Sequence, residues 1–216
     1  MRTSLSFLLL LIAAPLFAQR PSVTPTFKGT LVLPVPVGHA LFNDLAESIG
    51  QLDGCVQAPL YKGLGLGAGF SSSWFGLKER ALAPTIIRGD VIRATYYGKV
   101  QYEHYTGPVT YYEFSGKFGG STVSWKTENC PEVKKQSTFH WGLYAGYYLH
   151  ATELLSFGLT LGYEADAADL TPDLLCQERF SGRNFTVAED PYRFLTVGLG
   201  FSTRFGRAQD LPPPRQ

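Results

Sequence analysis

Residues 138–166, TFHWGLYAGYYLHATELLSFGLTLGYEAD, constrain the fold of this chain more than any other stretch. Odd positions 139–149 read Phe, Trp, Leu, Ala, Tyr, Leu, and even positions 138–150 read Thr, His, Gly, Tyr, Gly, Tyr, His. After a short turn over Ala151–Leu154 the odd positions 155–165 read Leu, Phe, Leu, Leu, Tyr, Ala, and the even positions 156–166 read Ser, Gly, Thr, Gly, Glu, Asp. Successive side chains of a strand point to opposite faces, so a period of two gives each run one oily face and one small or polar face.

The pattern recurs along the chain. Leu64, Leu66, Ala68, Phe70 and Trp74 oppose glycines and serines at 63–73. Ile92, Ala94, Tyr96, Val100 and Tyr102 oppose Arg93, Thr95, Tyr97, Lys99, Gln101 and Glu103. Tyr112, Phe114 and Phe118 oppose Glu113, Ser115, Lys117 and Gly119, and Leu195, Val197, Leu199, Phe201 and Phe205 oppose Thr196, Gly198, Gly200, Ser202 and Arg204. A weaker run, Phe27–Val37, carries Pro34 and Pro36, which cannot donate to a ladder and predict an edge or an early exit. These runs predict seven strands. Short connections near 106–108 and 150–154 alternate with long ones over 127–137 and 166–192, as in an up-and-down sheet whose two ends face different compartments. Closed bacterial barrels favour an even strand count. An eighth strand is therefore expected between Ala40 and Leu60, or within Thr85–Tyr105, although ALFNDLAESIG at 40–50 reads more like a short helix or a loop.

Two architectures use such strands. A soluble barrel or sandwich turns its apolar face inward; a membrane barrel reverses it. Glycine crowds the non-apolar face, at 63, 65, 67, 69, 142, 146, 158, 162, 198 and 200. Strand glycine weakens a water-facing surface but suits the tight interior of a small barrel. Aromatic residues near strand ends (Trp74, Phe139, Trp141, Tyr163 and Phe205) suit interfacial girdles. Strand charges share one face, and a Lys or Arg on the lipid side would cost roughly 2–4 kcal/mol at mid-membrane. The expected fold is all-β: a closed, up-and-down antiparallel transmembrane β-barrel of about eight strands. Arg93, Lys99, Glu103, Glu113, Lys117, His140, Glu164 and Arg204 are expected in the lumen. Leu143, Leu149, Phe157, Leu159, Leu161, Leu195, Val197, Leu199 and Phe201 are expected to face lipid. Closure is required, because unpaired backbone amides do not survive in hydrocarbon.

Arg2 followed by the apolar run Leu5–Phe17 reads as a secretory signal peptide over 1–18, too short to span a bilayer as a helix. No later apolar run is long enough for a transmembrane helix. The barrel is assigned to 19–206 and a Pro-rich tail to 207–216, expected to be disordered. With 19 Lys and Arg against 18 Asp and Glu the chain is balanced, so nucleic acid is not an expected partner. Cys55, Cys130 and Cys176 fit no metal spacing, and all three fall in stretches read as loops. In an exported protein two of them could pair and leave one free.

The segments LFAQ, GLGLGAGF, WGLYAGYYL, LSFGLTLGYE and FLTVGLGFSTRF together resemble the small outer-membrane β-barrel proteins of Gram-negative bacteria, the OmpA/OmpX-like barrels. The likeness is one of pattern and covers most of the mature chain. It implies residence in the outer membrane, contact with the lipid bilayer, and handling by the barrel-assembly machinery. In that family a final-strand aromatic is read during assembly, a role that falls to Phe205 with Gly200 and Phe201. This chain departs in carrying GRAQDLPPPRQ beyond that point. The tail is too short for a peptidoglycan-binding domain, so that activity is not carried over.

Chemical motifs are sparse. GLGLGA at 63–68 matches a dinucleotide fingerprint formally but continues as strand, with no helix after it. NFT at Asn184 matches a glycosylation acceptor, which has little meaning in bacterial export. His140 with Ser137 or Thr138, or His150 with Glu153, could be named as a hydroxyl–base–acid set, but nothing singles them out. No cofactor or metal is indicated and no enzymatic activity is expected. An eight-stranded interior is just wide enough to be filled by side chains, whereas open pores need about 16 strands. The expected role is structural or interaction-based, through outward loops around 38–57, 127–137 and 166–190 and a protein or surface partner. A narrow pore for ions or small solutes is the alternative, and a lipid-modifying enzyme the third.

Overall fold

In a computed structural model, residues 25–182 and 190–205 are described; the leader, Asn184 and the Pro-rich tail lie outside them. The described residues form eight strands in one closed barrel, each paired antiparallel with its neighbours in sequence and β1 with β8. The strands are β1 (Thr26–Pro36), β2 (Ala46–Tyr61), β3 (Leu64–Leu77), β4 (Gly89–Tyr105), β5 (Thr110–Thr127), β6 (Lys134–His150), β7 (Leu155–Asp166) and β8 (Tyr192–Arg204). Helix α1 (Ala40–Leu45) precedes β2, and a 3-10 turn, Pro172–Leu175, lies between β7 and β8.

The eighth strand is β2. The stretch at 40–50 divides: Ala40–Leu45 is helical and the rest pairs with β3 from Ala46 onward. The expected outward loop over 38–57 is therefore mostly strand, and Cys55 lies inside the barrel on β2 rather than in a loop. β5 and β6 also run further than expected, leaving 128–133 between them where 127–137 was read as loop. The prolines of β1 fall beyond the last β1–β2 pair, Val32–Gln51, while pairing with β8 continues to Pro36. A residue without an N–H is suited to such a half-paired stretch.

One end of the barrel carries tight turns. Lys62 and Gly63 form a two-residue hairpin, both at positive φ (44° and 88°), which matches the twist of the flanking strands. The other end carries the longer connections, and these fold inward. His39 caps α1 by accepting the Phe42 amide at 3.0 Å. The helix buries Leu41, Phe42 and Leu45. Leu82, Ile87, Leu170, Leu174, Leu175 and Phe180 join them over the barrel mouth. Strand residues Phe75, Val91, Val123, Trp125, Tyr192 and Phe194 point inward to meet this lid. The Phe42 ring lies 4.8 Å from Tyr192, 5.6 Å from Phe75, 5.7 Å from Phe194 and 5.9 Å from Trp125, centroid to centroid. Burying each such side chain is worth about 1.5–3 kcal/mol, enough to hold the connections down. Cys130 and Cys176 form a disulfide that ties the β5–β6 connection to the segment after β7, and Cys55 stays free.

The remainder of the wall is inside out. Leu143, Leu149, Phe157, Leu159, Leu161, Leu195, Val197, Leu199 and Phe201 all stand exposed on its outer surface, Leu159 at 67%. Among the described residues no helix is long and apolar enough to cross a membrane.

Candidate functional site

The lumen holds the polar chemistry, and the strand register decides which side chains meet there. Position by position, the face opposite the outer leucines points inward and collects charged or histidine side chains from every strand but β3, whose inward positions are glycines, serines and Phe75. Nearest the tight turns, Arg204 donates to the Tyr105 hydroxyl, and His150 lies over Tyr105 and Tyr111 with ring centroids 5.9 Å and 5.2 Å away. Above them Lys28 pairs with Glu103 at 2.7 Å and with Glu113, while Lys99 pairs with Glu113 at 2.6 Å. Halfway along, Lys117 reaches Asp53 at 2.7 Å and Tyr97 donates to the same carboxylate at 2.7 Å. The Lys117 ammonium also sits 4.1 Å from the centre of the Tyr144 ring and 4.5 Å from that of Tyr97.

The uppermost polar layer centres on Arg93, only 1% exposed. It pairs with Glu164 and, at 3.3 Å, with Asp166. Its second terminal nitrogen donates to Gln51 at 2.9 Å. Gln51 donates to Glu164 at 2.9 Å and accepts from Ser73 at 2.8 Å; Tyr144 donates to Glu164 at 2.7 Å. His140 Nδ1 lies 2.7 Å from Asp166. Lys28, Lys99, Lys117 and Arg93 thus each have a carboxylate partner. A buried ion pair of this kind balances desolvation against attraction, and removing one partner leaves an uncompensated charge.

Glycines make room for the rings that divide these layers. A Cβ on Gly69 would stand 2.5 Å from the Tyr97 hydroxyl, one on Gly146 2.7 Å from the Tyr148 ring, and one on Gly142 2.9 Å from the Tyr144 ring. Gly162 faces the other edge of Tyr144 at still closer range. Between these side chains lies a cavity of about 30 Å³ beside Lys28, Asp53, Cys55, Lys99 and Glu113. Such a volume admits about one or two waters.

Arg93, Lys99, Glu113, Lys117, His140 and Glu164 are buried in the lumen, Glu103 is largely so, and Arg204 stands half-buried at the turn end. Neither of the two histidine sets forms as paired on paper. Ser137 lies on the outer surface against Thr122, and His140 faces Asp166 instead. His150 meets the Ser156 hydroxyl at 2.8 Å, while Glu153 is exposed in the turn. Sequence reasoning missed Lys28, Asp53 and Gln51 as lumen residues. Lys28 had a usable signal, since it alternates out of phase with Leu31 and Leu33; Asp53 and Gln51 lay in a stretch read as loop. Among the described residues no group of His, Cys, Asp and Glu is arranged to hold a metal ion.

No family model matches the chain, and no curated protein matches it either. Solved structures do. Neisserial surface protein A superposes with a TM-score of 0.53 at 10% identity, covering 84% of this chain and 97% of that one. Ail, the attachment invasion locus protein of Yersinia pestis, gives 0.47 at 10% identity over 86% and 100%. The outer membrane protein OprG from Pseudomonas aeruginosa gives 0.48 at 11% identity over 85% and 97%. The fold is that of the small eight-stranded outer-membrane barrels, without an additional domain among the described residues.

Proposed function

We propose that this chain is an integral outer-membrane β-barrel with a plugged lumen and no catalytic role, which carries a packed, disulfide-tied lid on the side opposite its tight turns. One observation carries the reading: an apolar outer wall surrounds an interior whose charges are paired with one another and whose mouth is sealed by aromatic side chains. Water would dissolve such a wall's advantage, whereas acyl chains match it. Buried ion pairs and tyrosine rings that reach across the lumen support a plugged interior rather than a path for a solute. His140 supports the non-enzymatic reading, because it is buried against Asp166 and offers almost no exposed surface to a substrate. The exposed outer surface of the lid, including Glu79, Arg88, Asp173 and Arg179, is the face available to a protein or surface partner. Phe205 with Phe201 at the end of β8 supplies the aromatic terminus that the barrel-assembly machinery would engage.

The test has two parts. Unheated protein extracted from outer membranes should migrate faster than boiled protein on a gel. Planar bilayers containing it should show no stepwise conductance. Steps that change on Glu113→Gln or Arg93→Ala would establish the pore reading in its place.

A further inference from the structure

The outer wall is not uniformly smooth. A groove of about 400 Å³, lined by Leu64, Val100, Tyr102, Phe114, Gly116 and Leu143, crosses β3 to β6 toward the turn end. Its floor is set by the register: Gly116 lies between Val100 and Leu143 in one cross-strand row, where every neighbour on the outer face is larger. Phe114 rises on one side of that glycine, and Phe118 leans over the other, 3.1 Å from where its Cβ would be.

One end of the groove is polar. The Tyr102 hydroxyl lies 3.5 Å from His104 Nδ1, and the His104 ring stacks on Tyr112 at 5.0 Å. The Lys62–Gly63 turn is held beside them, because Gly63 accepts the Glu103 amide at 2.8 Å. Lys62 places its ammonium 5.0 Å from the centre of the Tyr61 ring, also on the outer surface. An apolar trench whose turn-side end carries Tyr102 hydrogen-bonded to His104, with the Lys62–Gly63 turn tied to the same strand beside it, complements an amphiphile with a hydrocarbon tail and an anionic head. We infer that this groove binds one phospholipid from the leaflet on the turn side, with an acyl chain over Gly116 and the phosphate between Lys62 and His104. The inference rests on the membrane placement proposed above. It adds that one lipid is held specifically, where the remainder of the wall meets only fluid chains.

Native mass spectrometry of the full mature chain tests it. The protein is reconstituted in vesicles of phosphatidylethanolamine and phosphatidylglycerol and then extracted with increasing detergent. One phospholipid should remain per chain after all others are stripped. Gly116→Trp should lower the retained fraction about tenfold, the scale of losing one or two buried methylenes. Gly120→Trp, at an outer position with open space above it on the same strand, should leave retention unchanged. Where Gly116→Trp does not show the fast band of a folded barrel, Gly116→Leu takes its place. Lys62→Glu should abolish preference for phospholipid over dioleoylglycerol, which lacks the phosphate. Absence of retained lipid from the wild-type chain, equal retention by the groove-filling variant, or a dimer that this variant dissociates would each overturn the inference. A chain that fails to float with the vesicles would overturn the membrane reading itself, whereas one that floats but keeps no lipid overturns only the groove.

Discussion

The Arg93 guanidinium lies 4.5 Å from the centre of the Phe194 ring. The same side chain that neutralises Glu164 and Asp166 is thus the floor on which the aromatic cap rests. Polar layer and apolar lid meet at this residue, with cation–π contact across the boundary.

Arg93→Ala should therefore be among the most damaging lumen substitutions. It strands two buried carboxylates and removes the support under Phe194. Breaking a buried pair in this way costs about 3–5 kcal/mol. Arg93→Lys should recover only part of that loss, since an ammonium cannot bridge Glu164, Asp166 and Gln51 together. Urea unfolding of the refolded barrel in lipid or detergent measures both. A loss below about 1 kcal/mol for Arg93→Ala would show that the layer is solvated and not sealed.

Glycine substitutions should divide by face. Gly162→Val drives a side chain into the Tyr144 ring and Thr196, and so dislodges the hydroxyl that donates to Glu164. Overpacking of this kind costs about 1–3 kcal/mol. Gly120→Ala points outward into open space and should be neutral or slightly stabilising. Equal unfolding midpoints for the two variants would contradict the role of the inner glycines as sockets.

The barrel was legible because most outer positions of seven strands, from Leu31 to Phe201, obey one rule: the alternate side chain is oily. Parity alone also placed Arg93, Glu113 and Glu164 on one face. The same parity contained the lid, although it was harder to see. Phe75, Val123, Trp125 and Phe194 fall in phase with the lumen-facing serines and charges of their strands, at the same end of the barrel. Apolar residues on the polar face of several strands at once mark a place where the lumen ceases to be wet. The partners of those residues could not be found this way. Leu82, Leu170 and Phe180 sit in irregular connections with no period, and their inward packing depends on tertiary contact. β2 was obscured for a related reason. Its Ile49–Gly50 irregularity shifts the register between Ser48 and Gly50, so a parity count begun at one end fails at the other.

Reduction of the Cys130–Cys176 disulfide should loosen the lid without opening the barrel. The bridge spans 46 residues, for which the lost constraint on the unfolded chain is worth about 2–4 kcal/mol. The β-ladders do not depend on it. The expected result is that a reductant, or Cys130→Ser with Cys176→Ser, speeds trypsin cleavage after the exposed Arg179, because the loosened segment fits the protease cleft, while the fast gel band of the folded barrel persists. Cleavage at the same rate with and without the bridge would show that apolar packing around Phe42 and Leu175 holds the lid unaided.

The outer wall permits a prediction of opposite sign for the two possible solvents. Leu159 is the most exposed of the wall leucines named above, and its cross-strand neighbours on both sides, Tyr147 and Leu199, are exposed as well. Leu159→Arg in water would relieve an unfavourable apolar surface and improve solubility. In a bilayer it places a cation among acyl chains, at a cost of about 2–4 kcal/mol near the midplane. The lumen offers no escape, because the side chain points away from it and the strand register forbids a one-residue slip without turning every neighbour over. Folding yield into vesicles, read from the heat-sensitive band, should therefore fall for Leu159→Arg, whereas Lys126→Leu, on a solvent-exposed position beyond the apolar band of β5, should leave it unchanged. A Leu159→Arg protein that is recovered soluble, folded and free of membrane would invalidate the lipid-facing assignment of the entire wall.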